Sequence, residues 1–103
     1  MKQYQVKVTP EAKEQLRDIL AYIKKKLKNP QGAKNFREDY KATVAELKTV
    51  AGNLAYCENQ YLAAKKLKKI HFRSHDYVIL FRTNDGIAEV VNLYHDSQDY
   101  ENY

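Results

Sequence analysis

The stretch from Leu67 to Tyr100, LKKIHFRSHDYVILFRTNDGIAEVVNLYHDSQDY, constrains the fold more than any other part of the chain. Ile70 and Phe72 alternate with Lys69 and His71, the period of a half-buried strand. A polar break at Ser74-His75-Asp76 precedes the apolar run Tyr77 to Phe81. Asn84-Asp85-Gly86 supplies a turn, because Asp and Gly tolerate the positive φ of tight hairpins. Ile87 to Leu93, rich in β-branched residues, then reads as a third strand. Three strands in so short a span need a layer laid across them to bury a face.

The first half of the chain supplies that layer. Tyr4, Val6 and Val8 alternate with Gln3, Gln5 and Lys7, which predicts a strand. Thr9 is placed to cap a helix whose first residue, Pro10, loses nothing by lacking an N–H. Ala12, Leu16, Ile19, Leu20, Ile23 and Leu27 form one apolar stripe at helical spacing. Lys24, Lys25, Lys26 and Lys28 crowd the carbonyl end, where the helix dipole favours cations. Asn29-Pro30 repeats the start signal, and Ala33, Phe36, Tyr40, Val44 and Leu47 mark the buried face of a second helix ending near Gly52-Asn53. The short connection makes an antiparallel helical hairpin. Leu54 to Ala64 carries a weak signal, with Tyr56, Tyr61 and Leu62 as candidate anchors of an irregular crossing.

The expected fold is therefore α+β: an N-terminal strand, a helical hairpin and a three-stranded meander in a mostly antiparallel sheet. With 103 residues and no repeat or linker, residues 1–103 form a single domain. Tyr77 to Phe81 is apolar on both faces, whereas a sheet with one wet face should alternate cleanly. The chain is too short for a second layer of helices. Either a partner protein covers the far face or these strands are central and strongly twisted.

Composition narrows the setting. A hydrophobic fraction of 44% and a charged fraction of 30% exclude a disordered chain. No apolar run reaches the roughly 18 residues of a membrane span. MKQYQVKVTP lacks the apolar block of a signal peptide, so a cytoplasmic location is expected. The lone Cys57 agrees with a reducing compartment and reads as a small packing residue. The net charge of +5 is unevenly spread. Residues 84–103 hold five acids and no Lys or Arg, which leaves 18 cations against 8 acids in the first 83. That +10 suits a polyanionic neighbour or a solvated surface.

Taken together, the strand–helix–helix–three-strand order, the hairpin phrase ILAYIKKKLKNPQGAKNF, the strand phrase FRSHDYVILFR and the ending VNLYHDSQDYENY resemble the RelE/ParE superfamily of toxins from bacterial type II toxin–antitoxin modules. The resemblance covers nearly the whole chain and implies a cytoplasmic toxin neutralised by a co-encoded antitoxin. ParE-like members inhibit DNA gyrase and have no known catalytic constellation. RelE-like members are metal-independent enzymes that cut messenger RNA on the ribosome. No cofactor and no metal is implied by either; His71 and His75 lack partners at ligand spacing.

If the chain were a nuclease, His95 after the last strand would be the acid–base group, Arg73 would stabilise the phosphate and Tyr100 or Tyr103 would stack on a base. Lys65, Lys66, Lys68, Lys69 and Arg82 are the candidate target-binding cations. Two departures weigh against cleavage: Val78 stands where many RelE-like members have an arginine after the strand tyrosine, and Asp96 and Asp99 make the tail acidic. The His95-x-x-x-Asp99 ending and the well-capped hairpin look more ParE-like, so gyrase inhibition is the favoured expectation. A binding module without toxic activity is the third class, and the chain has no helix-turn-helix pattern for reading DNA itself.

Overall fold

The computed structural model describes residues 3–58 and 60–95. Its elements are β1 (Gln5–Val8), α1 (Pro10–Ala21), α2 (Pro30–Val50), α3 (Gln60–Ala64), β2 (Lys68–His71), β3 (Tyr77–Asn84) and β4 (Ile87–His95). Among these residues no helix is long and apolar enough to cross a membrane. The strands form one sheet in the order β1-β4-β3-β2. The meander β2-β3-β4 is antiparallel, and β1 lies parallel to β4 with Gln5 opposite Ile87 and Val8 opposite Val90. The tight β3–β4 turn has Asp85 at φ 49° and Gly86 at φ 79°, the left-handed pair that a two-residue hairpin needs.

Both helix starts follow their caps. The Thr9 hydroxyl accepts from the Ala12 N–H at 3.2 Å, and Asn29 Oδ1 accepts from the Gly32 N–H at 2.9 Å. The end of α1 departs from the expected pattern. Tyr22–Lys26 forms a π-helical turn, in which the Leu27 N–H reaches back to the Tyr22 carbonyl at 3.1 Å. The Asn29 N–H then closes on the Ile23 carbonyl at 3.1 Å, and Lys28 takes φ 51°. The wider turn carries Leu27 off the apolar stripe, and its side chain is 55% exposed. Helices usually place glycine in the left-handed position that Lys28 occupies. Lys28→Gly is accordingly expected to stabilise the fold by about 0.5–1 kcal/mol, read as a raised urea midpoint with unchanged m-value.

The main core lies between the helical hairpin and one sheet face. Ala12, Phe36, Leu47 and Ala51 meet Ile70, Phe72, Ile79, Phe81, Ala88, Val90 and Leu93. A bulge between Leu80 and Phe81 reconciles the sheet with its unalternating sequence: Phe81 pairs with Val90, but Leu80 pairs with Asn92, which leaves Val91 as the extra residue. The slip lets Val90 and Leu93 face the helices while Val91 joins the far side.

That far side is packed against by the chain itself, a third answer beside the two expected ones of a partner protein or strong twist. Cys57, Leu62 and Leu67 bury Leu80 and Val91, with Tyr94 packed alongside. The segment is tied down by the Cys57 N–H donating to the Leu67 carbonyl at 2.9 Å, and by a bridge between Tyr56 and Lys68. Leu62 is the buried anchor, whereas Tyr56 and Tyr61 are about half exposed. Burial pushes the Cys57 thiol up against a weaker opposing pull from Lys69, as befits a packing residue.

Candidate functional site

The polar side chains with the most elaborate surroundings gather where α2 meets the β2–β3 turn and the end of β4. Asp39 sits on the buried face of α2, between Phe36 and Thr43. Its Oδ1 accepts from the Arg73 N–H at 3.1 Å, and its Oδ2 accepts from the Ser74 N–H at 2.9 Å. His75 Nδ1 lies 2.7 Å from the same Oδ2. An ionised carboxylate only accepts, so Nδ1 carries the hydrogen in this contact. Burial alone would push the Asp39 carboxyl up; the hydrogen bonds from His75, Ser74 and Arg73, aided by the attraction of His75, outweigh it and hold the group below its ordinary 3.8. One carboxylate thus fixes the whole Arg73-Ser74-His75 turn.

From this turn a line of rings runs across the end of the sheet. His75 lies edge-on to Phe36 at 5.1 Å, Phe36 edge-on to Tyr77 at 4.8 Å, and Tyr77 edge-on to His95 at 5.1 Å. Tyr77 and His95 are register partners on β3 and β4. Burial pushes the Tyr77 phenol up, and the neighbouring Tyr22 of the π-helical turn adds to that.

The line separates two recesses. One, of about 510 Å³, lies between α1 and β4 and is lined by Gln15, Asp18, Ile19, Tyr77, Tyr94 and His95. Gln15 Oε1 accepts there from the Leu93 N–H at 2.9 Å, serving the backbone of β4 beyond the last residue paired with β1. The other recess, of about 540 Å³, is lined by Asn35, Glu38, Asp39, Arg73, Ser74 and His75. His95 and Arg73 therefore border different recesses. The Arg73 guanidinium is engaged by Glu46 Oε2 at 3.0 Å, on the exposed side of α2. Tyr100 and Tyr103 lie outside the described residues, as do Asp96 and Asp99.

The predicted target-binding cations are dispersed. Lys68 turns inward: it is 7% exposed, its ammonium donates to the Ala51 carbonyl at 3.3 Å, and it stands over the Tyr56 ring. There it caps the carbonyl end of α2, a structural use that removes it from the surface set. Arg82 pairs with Glu89 across the β3–β4 hairpin at 3.0 Å. Lys65 lies over the Tyr61 ring, Lys66 is exposed at a left-handed φ of 60°, and Lys69 is half-buried on β2. Sequence reasoning missed Asp39 and the structural part of His75. The available signal was an acid among the apolar positions of α2, one residue before Tyr40.

Comparison with known proteins gives this architecture its relatives. The family model described as the ParE toxin of type II toxin–antitoxin systems, parDE, matches residues 6–100. Among solved structures the fold is similar to a chain of the chromosomal ParDE toxin–antitoxin system from P. aeruginosa, with a TM-score of 0.75 at 17% identity, over 90% of this chain and 96% of that one. No curated protein matches the sequence. The family match runs from β1 through the whole hairpin and meander, and the chain belongs to the ParE toxin family of type II toxin–antitoxin systems.

Proposed function

We propose that this ParE-family toxin inhibits DNA gyrase in the cytoplasm and is neutralised by a cognate antitoxin encoded beside it. The observation that carries the reading is the family match over residues 6–100. The disposition of the candidate catalytic groups agrees with it. Cleavage of a phosphodiester needs an acid–base group and a phosphate-stabilising cation on one reacting centre. Here His95 and Arg73 border separate recesses, and Arg73 is paired with Glu46. An inhibitor that acts by binding has no need of their convergence.

The test uses purified, antitoxin-free protein in two assays: gyrase supercoiling of relaxed plasmid, and primer extension on messenger RNA in translating ribosomes. Loss of supercoiling with intact messenger is the expected result. Cuts within ribosome-bound codons and unimpaired supercoiling would instead make the chain a RelE-type nuclease, and silence in both would leave a binding module.

A further inference from the structure

We propose that the turn end of the helical hairpin is a docking surface for the phosphate backbone of duplex DNA. Between Asp18 and Glu38 the chain carries Lys24, Lys25, Lys26, Lys28, Lys34 and Arg37 and not one carboxylate. All six side chains are exposed, and none has an ion-pair partner among the described residues. What sets the tip apart is the run itself, six cations in a stretch without an acid, whereas Arg73 and Arg82 are each held by a glutamate. The helix dipole accounts for a cation or two in a last turn, but its effect fades within that turn. Lys34 and Arg37 lie beyond its reach, in the first turns of α2, and give the tip a charge of +6 from two helices.

The backbone at this end is unusual in the same place. The π-helical turn Tyr22–Lys26 interrupts α1, and π turns recur at functional positions. Lys28 holds a left-handed conformation where glycine would be easier, so the chain keeps a fourth cation at a conformational cost. The same turn leaves Tyr22 and Leu27 more than half exposed beside the charges.

The residue types favour backbone over base recognition, and duplex over single strand. Five of the six cations are lysines, compact point charges suited to phosphates; base edges are read chiefly by Arg, Asn and Gln. Single strands are held in grooves by rows of stacking aromatics, whereas this is the end of a helix pair with Tyr22 as its one exposed ring. The inference goes beyond gyrase inhibition and stands without it, because DNA binding is measured with no gyrase present.

The experiment is fluorescence anisotropy of the purified toxin with a labelled 20-base-pair duplex across a salt series, beside single-stranded RNA of equal length. Duplex binding is expected with a slope of log K against log salt of about −4, reporting four or five phosphate contacts. Lys24→Gln/Lys25→Gln/Lys26→Gln/Lys28→Gln should cut that slope to about −0.5 and weaken binding at least about tenfold, while the same four changes to Arg keep both. If the quadruple glutamine variant fails to fold, Lys24→Gln/Lys28→Gln is expected to reduce the slope by about 2. Lys7→Gln/Lys48→Gln, on β1 and at the far end of α2, should leave the slope unchanged. Absent duplex binding in low salt overturns the proposal, as does an equal loss in the Lys7/Lys48 variant or tighter binding to the RNA strand. A supercoiling assay on the same variants reports separately on gyrase.

Discussion

Phe36→Ala is expected to destabilise the protein by about 3–5 kcal/mol, the cost of emptying a fully buried aromatic site. Phe36 is the hub of the ring line: it touches Phe72, His75 and Tyr77 at centroid distances of 4.8 to 5.1 Å. Truncation removes the packing of α2 on β2 and β3 together with three aromatic contacts worth about 0.5–1.5 kcal/mol each beyond their area. A domain of this size holds only about 5–15 kcal/mol in all, so a large share of the stability resides in one side chain. Urea unfolding followed by circular dichroism measures the loss, and Phe36→Leu should recover part of it. An alanine variant within about 1 kcal/mol of the parent would show that the neighbouring rings collapse into the space, and that Phe36 is no hub.

Asp39→Ala is the second large effect, at about 2–4 kcal/mol, because it strands the Arg73 and Ser74 amides and the His75 Nδ1–H at once. Its pH dependence has a definite sign. The carboxyl is held below 3.8 in the fold, so its stabilisation is complete above the unfolded value and is lost as pH falls through the lowered folded value. The parent should therefore lose melting temperature in that acid range by an amount that Asp39→Asn does not show. At neutral pH the asparagine variant should melt between the parent and Asp39→Ala, since its amide oxygen can still accept from one of the two backbone N–H groups. Thermal scans from about pH 6 downward separate the three proteins. Superimposable pH profiles for the parent and Asp39→Asn would remove the carboxylate from this role.

Most of the architecture was legible because its signals are local. Thr9-Pro10 and Asn29-Pro30 announce both helices through chemistry confined to one turn, and Asp85-Gly86 does the same for the hairpin. What was hidden depends on distant partners. Nothing in QVKV says that β1 lies parallel to β4, and nothing in VILF says that Cys57, Leu62 and Leu67 cover its far face. The spacing of Ile23 and Leu27 looks α-helical, and a π turn leaves no mark in such a pattern. For the site, His95 and Arg73 were visible as residue types, but their assignment to different recesses is a three-dimensional fact. Asp39 was overlooked because an acid within a helix usually faces water, whereas this one faces a turn 34 residues later.

The parallel pairing of β1 with β4 also bears on when the molecule becomes complete during its synthesis. Gln5 awaits a partner, Ile87, that the ribosome adds 82 residues later. At about 5–20 residues per second the first strand spends roughly 4–16 s without its neighbour. The helical hairpin is made early and carries its own caps, but the β4 part of its apolar surface arrives last. A nascent or prematurely terminated chain thus lacks the strand that joins β1 to β3 at the centre of the sheet. Translation interrupted before β4 therefore releases fragments that cannot assemble the native four-stranded sheet.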